Sequence, residues 1–192
     1  MLRGGTDMTF LDEENDALGE ITNIFAGAAA CSLSNITDVD VDISVPNFRE
    51  AQAGDKVVDT MSNCFGYRFK SPSFSDGFCF VSFQGEYNRF ARLFGIRKNE
   101  EYVSHMMKKI ISTGLEPVER LMEKTINIEV LKKVSDNFDV SFMAKNSGYL
   151  IVEFNMIIDD DIEGKIVVVY PERTAKTMAS RFLSEGIAVT TV

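Results

Sequence analysis

This chain is poor in the residues on which several common kinds of site depend. It has one histidine, His105, and three cysteines, Cys31, Cys64 and Cys79, which show no CxxC spacing. A single histidine does not support a Ser-His-Asp triad or a multi-histidine zinc centre. An odd number of scattered cysteines is typical of a reduced chain and not of a disulfide or zinc framework. We therefore predict a cytoplasmic protein without a metal site.

Basic charge and long apolar segments are also scarce. The chain has 20 Lys and Arg against 29 Asp and Glu, a net charge of -9, so it lacks the basic surface that nucleic acid requires. The most apolar region, 151–170, is interrupted by acidic residues, and the N-terminal MLRGGTDM has no apolar signal core. The sequence thus predicts neither nucleic-acid binding nor membrane insertion, whereas a partner protein with a basic patch would suit it.

The most informative segment is 16–34, DALGEITNIFAGAAACSLS. At about 100° per residue, its polar side chains collect on one side of a helix, opposite an apolar stripe that would face a core. The apolar side comprises Leu18, Ile21, Phe25, Ala28, Ala29, Ser32 and Ile36, and the polar side comprises Asp16, Glu20, Asn23 and Gly27. After Asn23 the outward residues are small (Gly27, Ala30 and Cys31), which indicates that another surface comes close. A solvated acidic face is the alternative interpretation.

Periodicity and turn residues predict the other elements of the first half. The first helix is expected from Phe10 to about Asn35, with Thr9 as N-cap and Asp12 at the third position. The following segments are an alternating strand over 39–45 ended by Pro46, an irregular stretch over 47–60, strands over 64–70 and 77–83 joined by SPSFSD, and a short helix over 86–94.

The second half repeats this order at an offset of 87 residues, which takes Gly27 to Gly114 and Gly77 to Gly164. We therefore predict one α+β domain over 1–192, with internal repeats at approximately 10–97 and 98–185. Two long helices would pack on a mainly antiparallel sheet with pseudo-two-fold symmetry. Chance alignment of short apolar patterns is the alternative. The acidic segment 159–164 falls on a predicted hairpin loop, which favours a solvated turn over a cation site.

The same offset predicts that only the first half carries the polar group. It takes Asp16, Glu20 and Asn23 to apolar positions, and Pro46 to a lysine: Val103, Met107, Ile110 and Lys133. The second long helix is then either scaffold or an interface.

Asp16, Glu20, Asn23 and Pro46 follow the spacing Asp-x3-Glu-x2-Asn-x22-Pro, which resembles the signature of the CheC/CheX/FliY phosphatase family. The flanking DALGEITNIFAGAAACSLSNI resembles the helix of that family, and DIEGKIVVVYPERTA resembles its later strand-to-helix segment. The resemblance covers essentially the whole chain and implies a duplicated CheC-like domain.

The resemblance implies a chemotaxis phosphatase that hydrolyses the aspartyl phosphate of a CheY-type response regulator. It assigns Asn23 to orienting the attacking water and Glu20 to pairing with the regulator's lysine, with Asp16 and Pro46 as supporting motif residues. Gly27 and Ala30 would contact the partner. Any Mg²⁺ would belong to the regulator, so no cofactor is expected on this chain.

Two other functions remain open from the sequence. One is a noncatalytic role, either as a FliY/FliM-like component of the flagellar motor switch or as an adaptor that binds a response regulator or CheD. FliY proteins carry a CheY-capturing N-terminal segment and a C-terminal flagellar module, and the sequence as given has neither. We therefore expect a standalone CheC-like protein in the cytoplasm or at the motor, and a fragment of a longer switch protein is the alternative. The other, less favoured, is a metal-dependent hydrolase built on the acidic residues.

Overall fold

The computed structural model describes residues 10–52, 64–72, 74–83, 85–95, 100–131 and 148–184. Within these ranges the chain forms four helices and seven strands. The helices are α1 (Asp12–Thr37), α2 (Tyr87–Leu93), α3 (Glu100–Met122) and α4 (Glu172–Ser184). The strands are β1 (Val41–Ile43), β2 (Asn47–Ala51), β3 (Phe65–Ser71), β4 (Phe74–Ser82), β5 (Asn127–Val130), β6 (Tyr149–Ile158) and β7 (Ile162–Pro171).

The strands form one open antiparallel sheet in the order β1-β6-β7-β4-β3-β5, and β2 pairs with β6 further along the β1 edge. All four helices contribute to the larger apolar cluster, which lies on one face of the sheet. Alternate residues of β4 separate the two faces, because Cys79 and Val81 join this cluster whereas Phe78 and Phe80 join a smaller one. The predicted α+β class, with an antiparallel sheet and two long helices, is confirmed.

The two long helices cross in close contact at Gly114 of α3. A Cβ atom at this position would lie 2.9 Å from the Cβ of Ala29 and 3.0 Å from the carbonyl oxygen of Phe25, both on α1. Real side chains do not approach so closely, so only glycine permits this crossing. The contact fixes which side of α1 is buried.

The two central hairpins have the same register at the predicted offset of 87. Phe65 pairs with Val81 in the first hairpin, and Val152 pairs with Val168 in the second. Phe80 pairs with Val167, its own counterpart, where the hairpins meet. Equal register does not establish common descent, so the duplication, with repeats at approximately 10–97 and 98–185, stays a prediction.

The long helices do not share this offset. At 87, Asp16 and Glu20 correspond to Val103 and Met107, yet the first two are exposed and the last two are buried. An offset of 89 residues instead pairs buried residues of α1 with buried residues of α3. Leu18 then corresponds to Met107, and six further pairs follow: Ile21 with Ile110, Thr22 with Ile111, Phe25 with Gly114, Ala26 with Leu115, Ala29 with Val118, and Leu33 with Met122.

The predicted match of Asp16, Glu20 and Asn23 with Val103, Met107 and Ile110 was therefore wrong. It relied on Gly27 and Gly114, but Gly27 is exposed whereas Gly114 is buried against α1. At an offset of 89 the counterparts are His105, Lys109 and Ser112, which also lack the acid and amide groups. The counterpart Lys133 of Pro46 lies outside the described residues.

The segment after Pro46, predicted to be irregular over 47–60, contains β2. Its backbone pairs with β6, with Asn47 opposite Glu153, and Arg49 makes a 3.3 Å ion pair with the same carboxylate. Partners distant in sequence thus override the weak strand propensity of this segment. Residues 53–63 lie outside the described residues.

The ends of other predicted elements also differ. Helix α1 begins at Asp12, where Glu14 accepts a hydrogen bond from the Leu11 backbone amide at 2.9 Å, and the predicted cap Thr9 lies outside the described residues. Strands β3 and β4 extend into the predicted SPSFSD turn. The predicted hairpin loop is confirmed, because Asp159 and Asp160 form the β6–β7 turn with φ of 53° and 60°.

None of the described helices is long and apolar enough to cross a membrane.

Gly114→Ala should destabilise the protein, and Gly27→Ala should not. The first change forces a methyl group against a backbone oxygen, and overpacking of this kind costs about 1–3 kcal/mol. The second adds a methyl group that meets nothing within 4 Å, so only the gain in helix propensity remains, about 0.5–1 kcal/mol. Urea unfolding followed by circular dichroism measures both, and equal midpoints for the two variants would contradict the close crossing.

One thiol of the native protein should be reactive at pH 8. Cys31 is exposed, whereas Cys64 and Cys79 are buried in the sheet. Burial raises the pKa of the Cys64 thiol from 9.0 to about 11 and raises that of Cys79 as well, so neither forms the reactive thiolate. Ellman's reagent should therefore modify one thiol per native chain and three after denaturation, and Cys31→Ser should remove the native reaction.

Candidate functional site

The polar residues predicted to face outward from α1 do so. Asp16, Glu20, Asn23 and Gly27 are all exposed, while the side of α1 that includes Leu18 is buried. Residues three and four positions apart on a helix have Cβ atoms about 5–6 Å apart. The carboxylates and the amide therefore form one continuous polar patch, referred to here as the Glu20/Asn23 face (Asp16, Glu20, Asn23 and Gly27).

The fold makes no use of these polar groups. Within the described part of the chain, the side chains of Asp16, Glu20 and Asn23 make no hydrogen bond or ion pair. By contrast, Asn35 of the same helix donates a weak hydrogen bond to the Cys31 sulfur at 3.5 Å. The Glu20/Asn23 face is therefore free to bind something outside the chain.

The chain segment that carries this face is rich in acidic residues, although Lys176 of α4 lies close enough to Glu14 to interact with it. Residues 11–48 contain eight Asp and Glu and no Lys, Arg or His. Three of these acids, Asp12, Glu13 and Glu14, lie in the first turn of α1, where they favourably oppose the helix dipole. The face thus favours a partner that presents positive charge.

Of the two small residues predicted to contact a partner, only Gly27 lies on the surface. Ala30 is only 6% exposed, because it belongs to the buried side of α1. A Cβ atom at Gly27 would meet nothing within 4 Å, so the packing of this chain does not require glycine there. The exposed residues that keep the helix surface after Asn23 small are therefore Gly27 and Cys31.

Behind the Glu20/Asn23 face, Thr22 anchors α1 to the sheet. Its buried hydroxyl lies 2.6 Å from the Leu18 carbonyl oxygen, to which it donates, and 3.1 Å from the Tyr170 hydroxyl. Burial raises the pKa of Tyr170 well above its usual value, so its hydroxyl stays protonated and donates to Thr22. The polar face is thus supported from beneath by a buried hydrogen-bonded pair.

Pro46 lies at a bulge between β1 and β2, which both pair with β6 and together form an edge strand of the sheet. Ile43 pairs with Met156 and Asn47 pairs with Glu153, so four steps along the edge strand accompany three along β6. The amide of Asn155, within this gap, donates to the Ser44 hydroxyl at 3.0 Å. Proline lacks an N–H group and is tolerated where the ladder is interrupted. Pro46 thus stands at the entry into β2, and its supporting role in the motif stays a prediction.

The bulge decides which face of the sheet Phe48 occupies. If the β1 register continued, Phe48 would lie opposite Ile151 and point to the smaller apolar cluster. With one extra residue it pairs with Val152 and faces α1, since a shift of one residue exchanges the two faces of a strand.

Phe48 lies beside the Glu20/Asn23 face and was missed from the sequence. A Cβ atom at Gly19 would come within 3.2 Å of the Phe48 Cζ atom, so the ring tip rests over this glycine. Gly19 lies between Asp16 and Asn23 on the helix surface, three residues after the first and four before the second. The one signal in the sequence was a glycine within a confident helix, since such a glycine often has a packing reason.

The residues of the Glu20/Asn23 face lie on the exposed side of α1. A cavity of about 380 Å³ lies elsewhere, lined by residues that include Phe65, Glu101, His105 and Leu131. In the ranges given above, no three His, Cys, Asp or Glu side chains are grouped so as to hold a metal ion. That the chain binds no metal or cofactor stays a prediction. An exposed acid and amide on one side of a helix are accessible to a protein partner.

Part of the chain matches a known protein family in sequence. Residues 13–49 match the CheC-like family, and this segment contains Asp16, Glu20, Asn23 and Pro46. No curated protein matches the chain in sequence.

Solved structures share the fold over most of this chain. FliY from Thermotoga maritima is 22% identical with a TM-score of 0.75, over 92% of this chain and 99% of that one. FliM in the FliG–FliM complex from H. pylori is 16% identical with a TM-score of 0.69, over 89% of this chain and 100% of that one. CheX from Vibrio vulnificus is 12% identical with a TM-score of 0.51, over 78% and 97%. The predicted resemblance to the CheC/CheX/FliY family is confirmed.

Thr22→Val should destabilise the protein more than Tyr170→Phe. Without the Thr22 hydroxyl, the Tyr170 hydroxyl is left buried and unpaired, which costs about 1–3 kcal/mol. Without the Tyr170 hydroxyl, Thr22 still donates to Leu18, so the loss is about 1 kcal/mol or less. Chemical denaturation of both variants measures the difference, and the reverse order would contradict the proposed hydrogen bonding.

Proposed function

We propose that this protein is a phosphatase that hydrolyses the aspartyl phosphate of a CheY-type response regulator in chemotaxis. The observation that carries the proposal is the exposed and unpartnered pair Glu20 and Asn23 on α1, within the segment that matches the CheC-like family. A rigid helix that holds both groups outward is suited to entering the active site of another protein.

Asn23 is the residue proposed to act at the reacting atoms. Hydrolysis of an acyl phosphate needs a water molecule in line with the bond that breaks, and it needs little covalent help. A carboxamide accepts a hydrogen bond from that water through its oxygen and donates through its nitrogen, with no change of protonation state. Water attacks phosphorus, the bond to the aspartyl oxygen breaks, and inorganic phosphate leaves.

Glu20 is proposed to set the register of the complex. Its carboxylate lies one helical turn before Asn23 and is free to pair with the lysine of the regulator. An ion pair between the two proteins would place the amide of Asn23 at the phosphoryl group. Asp16 adds negative charge on the same face, and Gly27 leaves room for close approach.

The metal ion of this reaction is proposed to belong to the substrate. Mg²⁺ bound by the regulator would neutralise charge on the transferring phosphoryl group. The chain described here would then supply only positioning groups and no cofactor, and the reaction would take place in the cytoplasm or at the flagellar motor.

A second candidate function is a noncatalytic role in the flagellar switch, or as an adaptor for a response regulator or CheD. FliM, which has the same fold, is found in a complex with FliG, and this observation favours the switch role. In that role the Glu20/Asn23 face would be a docking surface without turnover.

Asn23→Ala should abolish the acceleration of dephosphorylation. Removal of the group that positions water should lower kcat about a hundredfold or more, judged by the loss of single positioning groups in other enzymes. The assay follows loss of ³²P from a labelled CheY-type regulator with Mg²⁺ present and the protein in catalytic amounts. Glu20→Ala should mainly raise KM, because it removes an ion pair made in the ground state and the transition state alike.

Matched controls exist elsewhere in the chain. Asn35→Ala removes an exposed amide 12 residues from Asn23 on α1, and Glu163→Ala removes an exposed carboxylate from β7, on the face of the sheet away from α1. Both should keep wild-type rates. If the folded wild-type protein does not accelerate dephosphorylation of any cognate regulator, the phosphatase proposal is wrong and the switch or adaptor role replaces it.

A further inference from the structure

We infer that Val45 and Phe48 form an apolar docking ridge, and that the response regulator rests on it while its phosphorylated site meets Glu20 and Asn23. The inference rests on the proposed function and adds the surface that binds the regulator. The docking ridge is defined as these two side chains, on either side of Pro46 and Asn47 in the edge strand.

The exposure of the ridge is unusual for its chemistry. Val45 is 86% exposed and Phe48 is 36% exposed, although most large apolar side chains in the described ranges are buried. The bulge before β2 accounts for both. It places Val45 in the interrupted part of the ladder and turns Phe48 towards α1. Val45 and Phe48 are three residues apart in the chain, and exposed apolar side chains next to polar groups mark interaction surfaces.

The ridge is continuous with the Glu20/Asn23 face. Phe48 rests over Gly19, and helical side chains lean towards the N-terminal turn, so the Asn23 side chain leans towards this ring. A protein that buries the amide of Asn23 would therefore also cover the exposed part of Phe48. Apolar contacts beside a small number of polar anchors are the usual arrangement of a protein interface.

The charge of the segment that carries the docking ridge indicates which kind of partner binds there. The ridge lies at the end of a segment, 11–48, that has eight acidic residues and no basic one, and the next residue, Arg49, is paired with Glu153. A second copy of the chain placed on the ridge would bring the same acidic segment against itself, which is unfavourable. A response regulator with a lysine at its active site offers the opposite charge, and an apolar side chain near that lysine would complete the contact.

The ridge should affect binding and not chemistry. Neither Val45 nor Phe48 carries a group that orients water or contacts phosphate in a charge-dependent way. Their contacts are equally strong before and during the reaction, so their loss raises KM and leaves kcat unchanged. Substitutions in the docking ridge should therefore differ in their kinetic effect from replacement of Asn23, which lowers kcat.

The test measures KM and kcat for the phosphorylated regulator with the variants Val45→Ser and Phe48→Ala. Val45→Ser should raise KM about threefold to tenfold and Phe48→Ala about tenfold or more, as burial of an aliphatic or aromatic side chain at an interface implies. Val45 makes almost no contact within the chain, so its variant should fold normally. Ile157→Ser is the matched control, because Ile157 is 45% exposed on the opposite face of the sheet.

A second readout uses the regulator loaded with beryllofluoride, a stable mimic of the phosphoryl group, and measures its Kd for each variant by calorimetry. A Kd that rises in Val45→Ser and Phe48→Ala but not in Ile157→Ser supports the ridge, even if the wild-type protein shows no phosphatase activity. Wild-type KM and Kd in Val45→Ser would overturn the ridge while leaving the phosphatase intact. Failure of the wild-type protein to bind the regulator would overturn both.

Discussion

The close crossing of α1 and α3 at Gly114 is the contact on which the candidate site depends. It brings the α3 backbone against Phe25 and Ala29 and thereby fixes the rotation of α1 about its axis. The hydrogen bond between Thr22 and Tyr170 holds the same rotation from the sheet side. Because that side of α1 is buried, the side chains of Glu20 and Asn23 point to solvent. A side chain at Gly114 would disturb this rotation, and with it the aim of both polar groups.

A second constraint comes from the edge of the sheet. Strands β1 and β2 both pair with β6, but the extra residue between Ile43 and Asn47 changes the register by one. That single step turns Phe48 to the helix side and leaves Val45 exposed. The acid and amide groups of α1 and the Phe48 ring thus become neighbours, although they come from different elements. This combination of polar anchors and apolar contact is what binding to a protein surface requires.

The sequence predicted the local features of the fold better than it predicted which residues of the two halves correspond. The outward side of α1, the β6–β7 turn and the α+β class follow from residue spacing, because each depends on a short segment or on overall pattern. The offset of 87 held for the hairpins but failed for the long helices, since it matched the exposed Gly27 with the buried Gly114. Strand β2 was missed because its pairing with β6 is not a property of its own residues.

The sequence by itself determined that one helix carries Glu20 and Asn23 opposite an apolar stripe, because helical periodicity depends only on spacing along the chain. It also determined the acidic character of 11–48. The tertiary structure alone decided that Ala30 is turned inward, that Glu20 and Asn23 stay unpartnered, and that Phe48 lies over Gly19. These are contacts between segments far apart in the chain, and their geometry is set by helix crossing and strand register, which no single segment encodes.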